Sequence, residues 1–376
     1  MADSLPEDVI VRILERLPIK SLIRFTCVSK RWRFIILCDP EFAKAQFQIA
    51  SHHQTLRHRL LISTACESEF NSLDLDAPPS PSGYNSSVRC PFTQPGGHPV
   101  RLLCSCKGLI LALVCNQEND MYIWNPSSQF FKKLPDPADL PSKTCLPCYG
   151  FGYLSATDDY KVIASFKVSV ADDEMEENGS SKEMHIFSSK ANTWKRTEAP
   201  LDFDFDFYSD SDFGGTLSNE ALHWLDDEDD GPGIFAFDLA KEEFQRMPLP
   251  ILLDGEVSYL RAFRDSLCVF DFENLVPASS IDLWVMQKYG VADSWTNLFN
   301  FKVSNQLGDI YYCLPVSVME TSTFLHKVTR FRDGNFIDLI RIGHTEQKPE
   351  MHMLSRNTGL MEMIEYEETL LWLAAP

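Results

Sequence analysis

Residues 5–42 constrain this chain more than any other part, because they pack three short helical patterns into fewer than forty positions. The first pattern repeats apolar residues at three- and four-residue spacing, which predicts one face of an amphipathic helix. These apolar residues are Val9, Ile10, Ile13, Leu14 and Leu17. A segment this short cannot bury a sufficient core of its own. It is therefore predicted to be a docking module attached to a larger body.

Boundary signals divide the segment into three helices. Ser4, followed three residues later by a glutamate, is a capping-box pattern at the start of the first helix. Pro18 ends that helix, and Ser21 is placed to cap the second. A third helix is predicted over 30–36, ending before Asp39-Pro40, because the residue before a proline disfavours the helical conformation.

Three groups of landmark residues in this segment resemble an F-box. The F-box pattern has an LPxD/E opening, an L-P-x-K-S-L centre and a V-S-K-x-W close. Here they read Leu5-Pro6-Glu7-Asp8, Leu17-Pro18-Ile19-Lys20-Ser21-Leu22 and Val28-Ser29-Lys30-Arg31-Trp32. Each helix alone would equally suit a fragment of an ordinary all-α domain, but the three groups together, in order and at this spacing, favour the F-box.

The F-box resemblance implies a surface that docks on a Skp-type adaptor and, through it, on a cullin. Some of the landmark residues must instead form the module's own small core, and the sequence leaves open which. The candidate adaptor-binding residues are Leu5, Pro6, Ile10, Leu14, Leu17, Pro18, Leu22, Val28 and Trp32.

The charge is divided unevenly along the chain. The net charge is −20, yet residues 1–59 carry ten Lys and Arg against six Asp and Glu. The rest of the chain is therefore strongly acidic, which argues against nucleic-acid binding, since that needs clustered cations. The sequence contains no run of eighteen apolar residues, so no membrane span is predicted. The acidic start of the chain is unlike a signal peptide, so a cytoplasmic or nuclear location is expected.

The body of the chain is predicted to be mainly β structure, because short apolar runs alternate with turn residues. A loose internal repeat of paired strands recurs at steps of 63, 50, 47 and 69 residues. A unit of about fifty residues is the period of kelch-type propellers. The residues taken as equivalent are Trp124, Phe187, Phe237, Trp284 and Met353.

Five short segments of the body resemble the F-box-associated domain of the large plant F-box/kelch-like family, including its S-locus-like branch. They are Cys106-Lys107-Gly108-Leu109, Trp124-Asn125-Pro126-Ser127, Gly150-Phe151-Gly152-Tyr153, Asp158-Asp159-Tyr160-Lys161-Val162 and Ala221-Leu222-His223-Trp224-Leu225. The resemblance implies a kelch-like β-propeller of about six blades. Because the double glycine of true kelch repeats occurs beside a strand only at Gly214-Gly215, blade number and ring closure stay open.

The predicted organisation is thus multi-domain α + β. A three-helix F-box module occupies residues 1–47, a hinge follows at 48–59, and a kelch-like β domain, irregular or incomplete as a propeller, covers 60–376.

Catalytic and metal signatures are weak in this sequence. Cys104-x-Cys106 and Cys145-x-x-Cys148 have no second matched pair, whereas structural zinc needs four ligands. His223 lies in an apolar strand beside Trp224, which favours a structural histidine. Phosphate-loop, serine-hydrolase and zinc-protease motifs do not occur in the sequence. No catalytic residue, metal or other cofactor is expected.

One acidic segment alternates charge with aromatic rings, and we consider it a candidate substrate-binding surface. Aromatic anchors within an acidic rim suit protein recognition, although buried Phe with solvated Asp is the simpler account. The residues are Asp202, Phe203, Asp204, Phe205, Asp206 and Phe207.

The interpretation that joins these observations follows from the family resemblance. It predicts a non-catalytic substrate-recognition subunit of an SCF-type ubiquitin ligase, which binds a Skp-type adaptor through the F-box and a target protein through the β domain. A basic target is compatible with the acidic body. A scaffold or adaptor competitor without ligase activity is the alternative, and a propeller enzyme is a weaker one. The identity of the target cannot be read from the sequence.

Overall fold

The computed structural model describes residues 5–62, 69–77, 86–93, 97–116, 119–137, 148–168, 181–198, 200, 214–226, 233–250, 257–273, 280–302, 312–319, 322–331, 334–343, 350–355 and 362–373. The chain divides into two compact units, one made of residues 1–135 with 361–376 and the other of residues 136–360.

The first unit begins with four helices: α1 (Glu7–Leu14), α2 (Ile19–Phe25), α3 (Lys30–Cys38) and α4 (Pro40–His52). Side chains cap the last two, where Ser29 accepts a hydrogen bond from the backbone N–H of Trp32 and Asp39 accepts one from that of Glu41. Such caps satisfy backbone N–H groups that a helix start leaves unpaired. Within the described ranges no helix is both long and apolar enough to cross a membrane.

The starts of the first two helices differ from the prediction. Proline is the N-cap residue of both, Pro6 before α1 and Pro18 before α2, and neither cap makes a side-chain hydrogen bond. The prediction that Ser21 caps α2 is wrong, because the extended Pro18 already accepts a hydrogen bond from the backbone N–H of Ser21 inside the helix. Ser4 lies outside the described residues. Helix α4 continues through residue 52, into the segment 48–59 that the sequence predicts as a hinge.

Two four-stranded sheets complete the first unit. The order of the first sheet is β24-β1-β2-β3 and that of the second is β4-β5-β6-β7, with all pairs antiparallel. Buried side chains of both sheets pack together, among them Leu61 and Phe70 from the first and Trp124 from the second. The strands are β1 (His58–Ile62), β2 (Glu69–Asp74), β3 (Ser86–Arg89), β4 (Val100–Cys106), β5 (Leu109–Val114), β6 (Asp120–Trp124), β7 (Phe131–Lys133) and β24 (Met363–Glu367).

The second unit contains an eight-stranded sheet, ordered β11-β10-β9-β8-β12-β13-β14-β15, and two four-stranded sheets, β16 to β19 and β20 to β23. A short 3-10 helix (Ala292–Ser294) precedes β19. The strands are β8 (Tyr149–Leu154), β9 (Asp159–Val168), β10 (Ser181–Ser188), β11 (Thr193–Thr197), β12 (Gly214–Ser218), β13 (Ala221–Asp226), β14 (Gly233–Asp238), β15 (Glu243–Pro248), β16 (Val257–Phe263), β17 (Ser266–Glu273), β18 (Ser280–Met286), β19 (Trp295–Lys302), β20 (Tyr312–Val318), β21 (Ser322–Phe331), β22 (Gly334–Gly343) and β23 (Glu350–Ser355).

Successive groups of four strands form antiparallel meanders, and the two meanders of the eight-stranded sheet join through the parallel pair β8–β12. Within the second unit, buried side chains of one meander pack on those of the next. Met184 and Ile186, for example, share a core with Trp224 and Phe237. Four-stranded meanders packed in series are the building plan of propellers. The predicted fold class, a helical module followed by a mainly β, propeller-like domain, is confirmed.

The internal repeat matches these meanders at four of its five positions. Trp124, Phe187, Phe237 and Trp284 each lie in the third strand of a meander, namely β6, β10, β14 and β18. The predicted equivalence of Met353 is wrong, since it lies in the fourth strand, β23. The third strand of that meander is β22, so the longest predicted step overshoots by one strand.

Two glycines allow the joint between the meanders of the eight-stranded sheet. Gly215 pairs with Gly150 across the parallel contact of β12 and β8. A Cβ atom on Gly215 would lie 2.6 Å from the ring of Trp224, and one on Gly150 would lie 2.7 Å from Leu222. The side chains of β13 therefore occupy the space that larger residues would need.

Replacing Gly215 with alanine is expected to destabilise the second unit by about 1–3 kcal/mol, because the new methyl group overpacks against the Trp224 ring. Gly233→Ala is the matched control, since its nearest neighbour would be 3.8 Å away. Denaturant unfolding of the two variants checks this. Equal loss of stability in both would contradict the packing argument.

A histidine and two glutamates meet where β24 pairs with β1. His58 Nδ1 lies 2.9 Å from Glu365 Oε1, and Glu367 is directly opposite His58 in the strand register. The hydrogen bond to Glu365 raises the pKa of His58 above its ordinary value of 6.5. Burial raises the pKa of Glu367. The backbone N–H of His58 also donates to Asp76 Oδ2 at 2.9 Å.

Raising the pH from about 6 to about 8 is expected to weaken this pairing. The fold favours protonated His58, so its contribution is complete below pH 6.5, its ordinary pKa, and is lost as the pH rises through the higher folded value. Glu367 acts in the same direction, because its fold also favours the protonated form. Thermal unfolding at both pH values should show a larger loss for wild type than for His58→Gln.

The matched control for this measurement is His53→Gln, which alters an exposed histidine five positions away. It should keep the wild-type pH dependence. An unchanged pH dependence in His58→Gln would contradict the assignment.

Candidate functional site: an apolar face on the helical module

The structure sorts the nine predicted adaptor-binding residues by burial. Leu14 and Leu22 are 1% and 0% exposed, and both belong to the core of the helical module. Their partners in that core include Ile19, Ile36 and Phe42. These two leucines therefore support the module from inside and do not form its surface.

Three further predicted residues are half-buried at the edge of this core. Ile10, Leu17 and Trp32 pack against the buried cluster while keeping part of their surface in solvent. The Trp32 ring contacts Phe25 edge-on, with 5.7 Å between the ring centroids. Such an aromatic pair fixes α3 against α2.

The remaining predicted residues, Leu5, Pro6, Pro18 and Val28, are exposed. Large apolar side chains are unusually frequent on this surface: Leu5 is 58% exposed, Val28 57% and Phe34 51%. Val9 and Ile13 are exposed as well. We define the apolar face as Leu5, Val9, Ile13, Val28 and Phe34.

Helix geometry accounts for part of the apolar face. Val9 and Ile13 are four residues apart, which places them along one side of α1. Leu5 lies just before Pro6, the N-cap of this helix. Sequence reasoning placed Val9 and Ile13 in the same apolar stripe as Leu14 and did not single out Phe34. The stripe of α1 is wider than a single contact surface, so its outward members could not be separated by periodicity.

An ion pair joins α1 to α3 at this surface. Arg31 donates a hydrogen bond from Nε to Glu7 Oε1 at 3.0 Å. This bond lowers the pKa of Glu7 and raises that of Arg31. The Arg31 guanidinium also lies 5.6 Å from the centroid of the Phe34 ring. Both groups are exposed, so the pair orients the helices more than it stabilises them.

Positive charge predominates on the helices that carry the apolar face. Seven exposed cations lie on or beside α1 to α3, against four carboxylates, those of Glu7, Asp8, Glu15 and Asp39. The cations are Arg12, Arg16, Lys20, Arg24, Lys30, Arg31 and Arg33. The module therefore offers exposed apolar side chains on helices with an excess of cations, which suits a protein partner with an acidic surface.

Two residues of the helical core come from far along the chain. Leu370 and Leu371, just after β24, are buried in the same cluster as Leu14 and Leu22. Sequence reasoning missed them. The only local signal is the apolar run that follows Glu365, Glu367 and Glu368. Such a run does not indicate which part of the fold it packs against.

His223 behaves as the sequence analysis expects of a structural histidine. It is fully buried, and burial lowers its pKa to about 4, so the ring is neutral. Nδ1 lies 3.0 Å from the carbonyl of Thr216, which can only accept, so Nδ1 carries the proton. Nε2 then accepts from the Tyr289 hydroxyl at 2.8 Å. Both ring nitrogens are satisfied.

The other predicted sites add little chemistry. The candidate substrate-binding segment, Asp202 to Phe207, lies outside the described residues, as does Cys145. Burial raises the pKa of the Cys106 thiol to about 12, so it is protonated. In the part of the chain that the structure describes, no group of three or more His, Cys, Asp or Glu is arranged to hold a metal ion.

Comparison with protein families agrees with both parts of the chain. The profile described as "F-box domain" matches residues 3–42. The profile described as "F-box associated beta propeller domain" matches residues 72–353.

Individual relatives named as F-box proteins match most of this chain. F-box protein CPR1 from Arabidopsis thaliana is 30% identical over 341 residues, which is 83% of this chain and 76% of that protein. An F-box/kelch-repeat protein from the same plant is 25% identical, covering 79% of each chain. F-box/WD-40 repeat-containing protein 1, also from Arabidopsis thaliana, is 27% identical over 79% of this chain and 68% of its own.

Proposed function

Because the chain belongs to the family of F-box proteins that carry an F-box associated beta propeller domain, we propose that it is a substrate receptor of an SCF-type ubiquitin ligase. The helical module binds a Skp-type adaptor, and the adaptor connects the chain to a cullin. The β domain holds a target protein for ubiquitination.

The observation that carries this proposal is the apolar face. Soluble proteins seldom expose several large apolar side chains together unless a partner covers them. Here five such residues lie within thirty positions of a small helical module, while its core is filled by other side chains. Burying Leu5, Val28 and Phe34 in an interface would supply its apolar centre, and the surrounding cations its polar rim.

The role of the β domain is to bring the target near a ubiquitin-charged enzyme. The chain itself does not catalyse the formation of the ubiquitin–target bond. Holding two reactants together raises their effective concentration, which accelerates transfer without a catalytic residue in the receptor. We propose a basic target, because the chain beyond residue 59 is strongly acidic, and the segment Asp202 to Phe207 remains our sequence-based candidate for its docking surface. We place this activity in the cytoplasm or nucleus.

The double variant Ile13→Asp, Val28→Asp is expected to lower affinity for a Skp-type adaptor at least about thirtyfold, since it puts two charges into the apolar face. Both positions are exposed, so the fold should be retained. Titration of the purified adaptor onto immobilised full chain measures the effect. Leu298→Asp, at an exposed leucine of β19, is the matched control and should bind as wild type does. Adaptor affinity equal to wild type in the double variant would contradict the assignment.

Adaptor association is also expected to slow as salt rises, because the cations around the apolar face attract an acidic rim and salt screens that attraction. Stopped-flow association from about 50 mM to about 500 mM salt tests this. Arg12→Gln, Arg16→Gln and Arg24→Gln together should flatten the dependence. A salt-independent association rate would show that charge does not steer this encounter.

A reconstituted ubiquitination assay separates the receptor from a scaffold or adaptor competitor. Ubiquitin transfer to a captured target, lost in Ile13→Asp, Val28→Asp, is the expected result. Adaptor binding without any transfer to captured targets would favour the scaffold.

A further inference from the structure

The core of the helical module includes residues that lie more than three hundred positions further along the chain. Leu370 is 1% exposed and Leu371 8%, and both pack in the core that contains Leu14, Leu22 and Ile36. These leucines lie outside both matched profiles, which end at residues 42 and 353. The helices alone therefore leave an apolar cleft that the segment 368–372 fills.

The same segment is fastened to the second sheet by one buried amide. Asn125, which follows β6, donates from Nδ2 to the carbonyls of Thr369 at 3.1 Å and Leu371 at 2.7 Å. Its Oδ1 accepts from the backbone N–H of Ser127 at 2.8 Å, which fixes the orientation of the amide. Asn125 is fully buried, so these bonds form without competition from water.

The turn between β4 and β5 closes the other side of the segment. The Thr369 hydroxyl donates to the carbonyl of Lys107 at 3.2 Å. Gly108 has a φ of +77°, and a Cβ atom there would lie 2.4 Å from Thr369 Oγ1. Lys107 reaches α4 directly, with Nζ 5.5 Å from the centroid of the Phe47 ring.

The approach to β1 holds the beginning of the segment. The backbone N–H of Glu368 donates to the carbonyl of Arg57 at 2.8 Å. The Glu368 carboxylate accepts from Arg59 Nη1 at 3.1 Å, with both side chains largely buried. The segment thus touches the helices on one side and both sheets of the first unit on the other.

We propose that Leu370 and Leu371 are positioning residues of the adaptor-binding surface. They hold α1 and α2 from behind through Leu14 and Leu22, and Asn125 fixes them to the β-sheet. This inference rests on the proposed function. It implies that the module becomes competent for the adaptor only when the 368–372 segment is in place. A nascent or cleaved chain that lacks the segment would leave the adaptor free for finished receptors.

The test is made on the full chain with the double variant Leu370→Asp, Leu371→Asp. Adaptor affinity should fall at least about tenfold, and the backbone amides of α1 to α3 should exchange with deuterium at least about tenfold faster. Strands of the second unit should keep wild-type protection, which shows that the chain is folded. The variant Leu370→Met, Leu371→Met preserves volume and should restore adaptor affinity to within about threefold.

Leu298→Asp is again the matched control, because it makes the same chemical change at an exposed leucine. Wild-type exchange in α1 to α3 of Leu370→Asp, Leu371→Asp would overturn the inference, and so would wild-type adaptor affinity. The exchange measurement needs no adaptor. If wild type fails to bind the adaptor, the proposed function fails, while faster exchange in the variant still supports the positioning role.

Asn125→Ala provides a second variant that leaves every apolar residue unchanged. It removes the bonds from the amide to the segment, and also those that its Oδ1 accepts from the backbone N–H groups of Ser127 and Ser128. We expect a smaller loss of adaptor affinity, about threefold to tenfold, with faster exchange in α1 and α2. Wild-type values in both measurements would show that the amide does not position the module.

Discussion

The packing of Leu370 and Leu371 into the core of the helical module is the contact on which the first unit depends. A helical module of about fifty residues buries so little apolar surface that its stability alone is marginal. Each buried leucine contributes about 1.5–3 kcal/mol, so the pair supplies a large fraction of the net stability of a small domain, which is about 5–15 kcal/mol. The position of the two leucines is also fixed, because Asn125 hydrogen-bonds their segment to the end of β6. One segment therefore provides both missing core and fixed attachment.

Local sequence pattern was sufficient to identify the first three helices and the family of the module. Spacing of three and four residues marked α1, and the landmark residues from Leu5 to Trp32 identified the module. Pattern could not separate Leu14, which faces the core, from Ile13, which faces solvent, because both fall within one broad apolar stripe. To separate buried from exposed residues of α1, one needs the positions of the elements that pack against it. One of these is the segment that contains Leu370 and Leu371.

The β domain shows the same division between local and distant information. The repeat identified the third strands at Trp124, Phe187 and Phe237, since each ends in a similar turn. It could not show that β24 pairs with β1, because the two strands are separated by about three hundred residues and neither sequence specifies its partner. Gly215 was noticed only as part of a double glycine. Its physical role, making room for the Trp224 ring, depends on a strand pairing that periodicity does not contain.

Helix α1 has two apolar sides, one covered by this chain and one exposed to solvent. It is apolar on the side of Leu14, which the chain covers with its own residues, and apolar again on the side of Val9 and Ile13, which stays in solvent. If the distant leucines did not fill the core, the module could reduce its exposed apolar area by turning α1 inward, and the outward face would be lost. The filled core thus keeps the apolar face available. In this fold, the surface offered to a partner is preserved by a contact on the opposite side of the same helix.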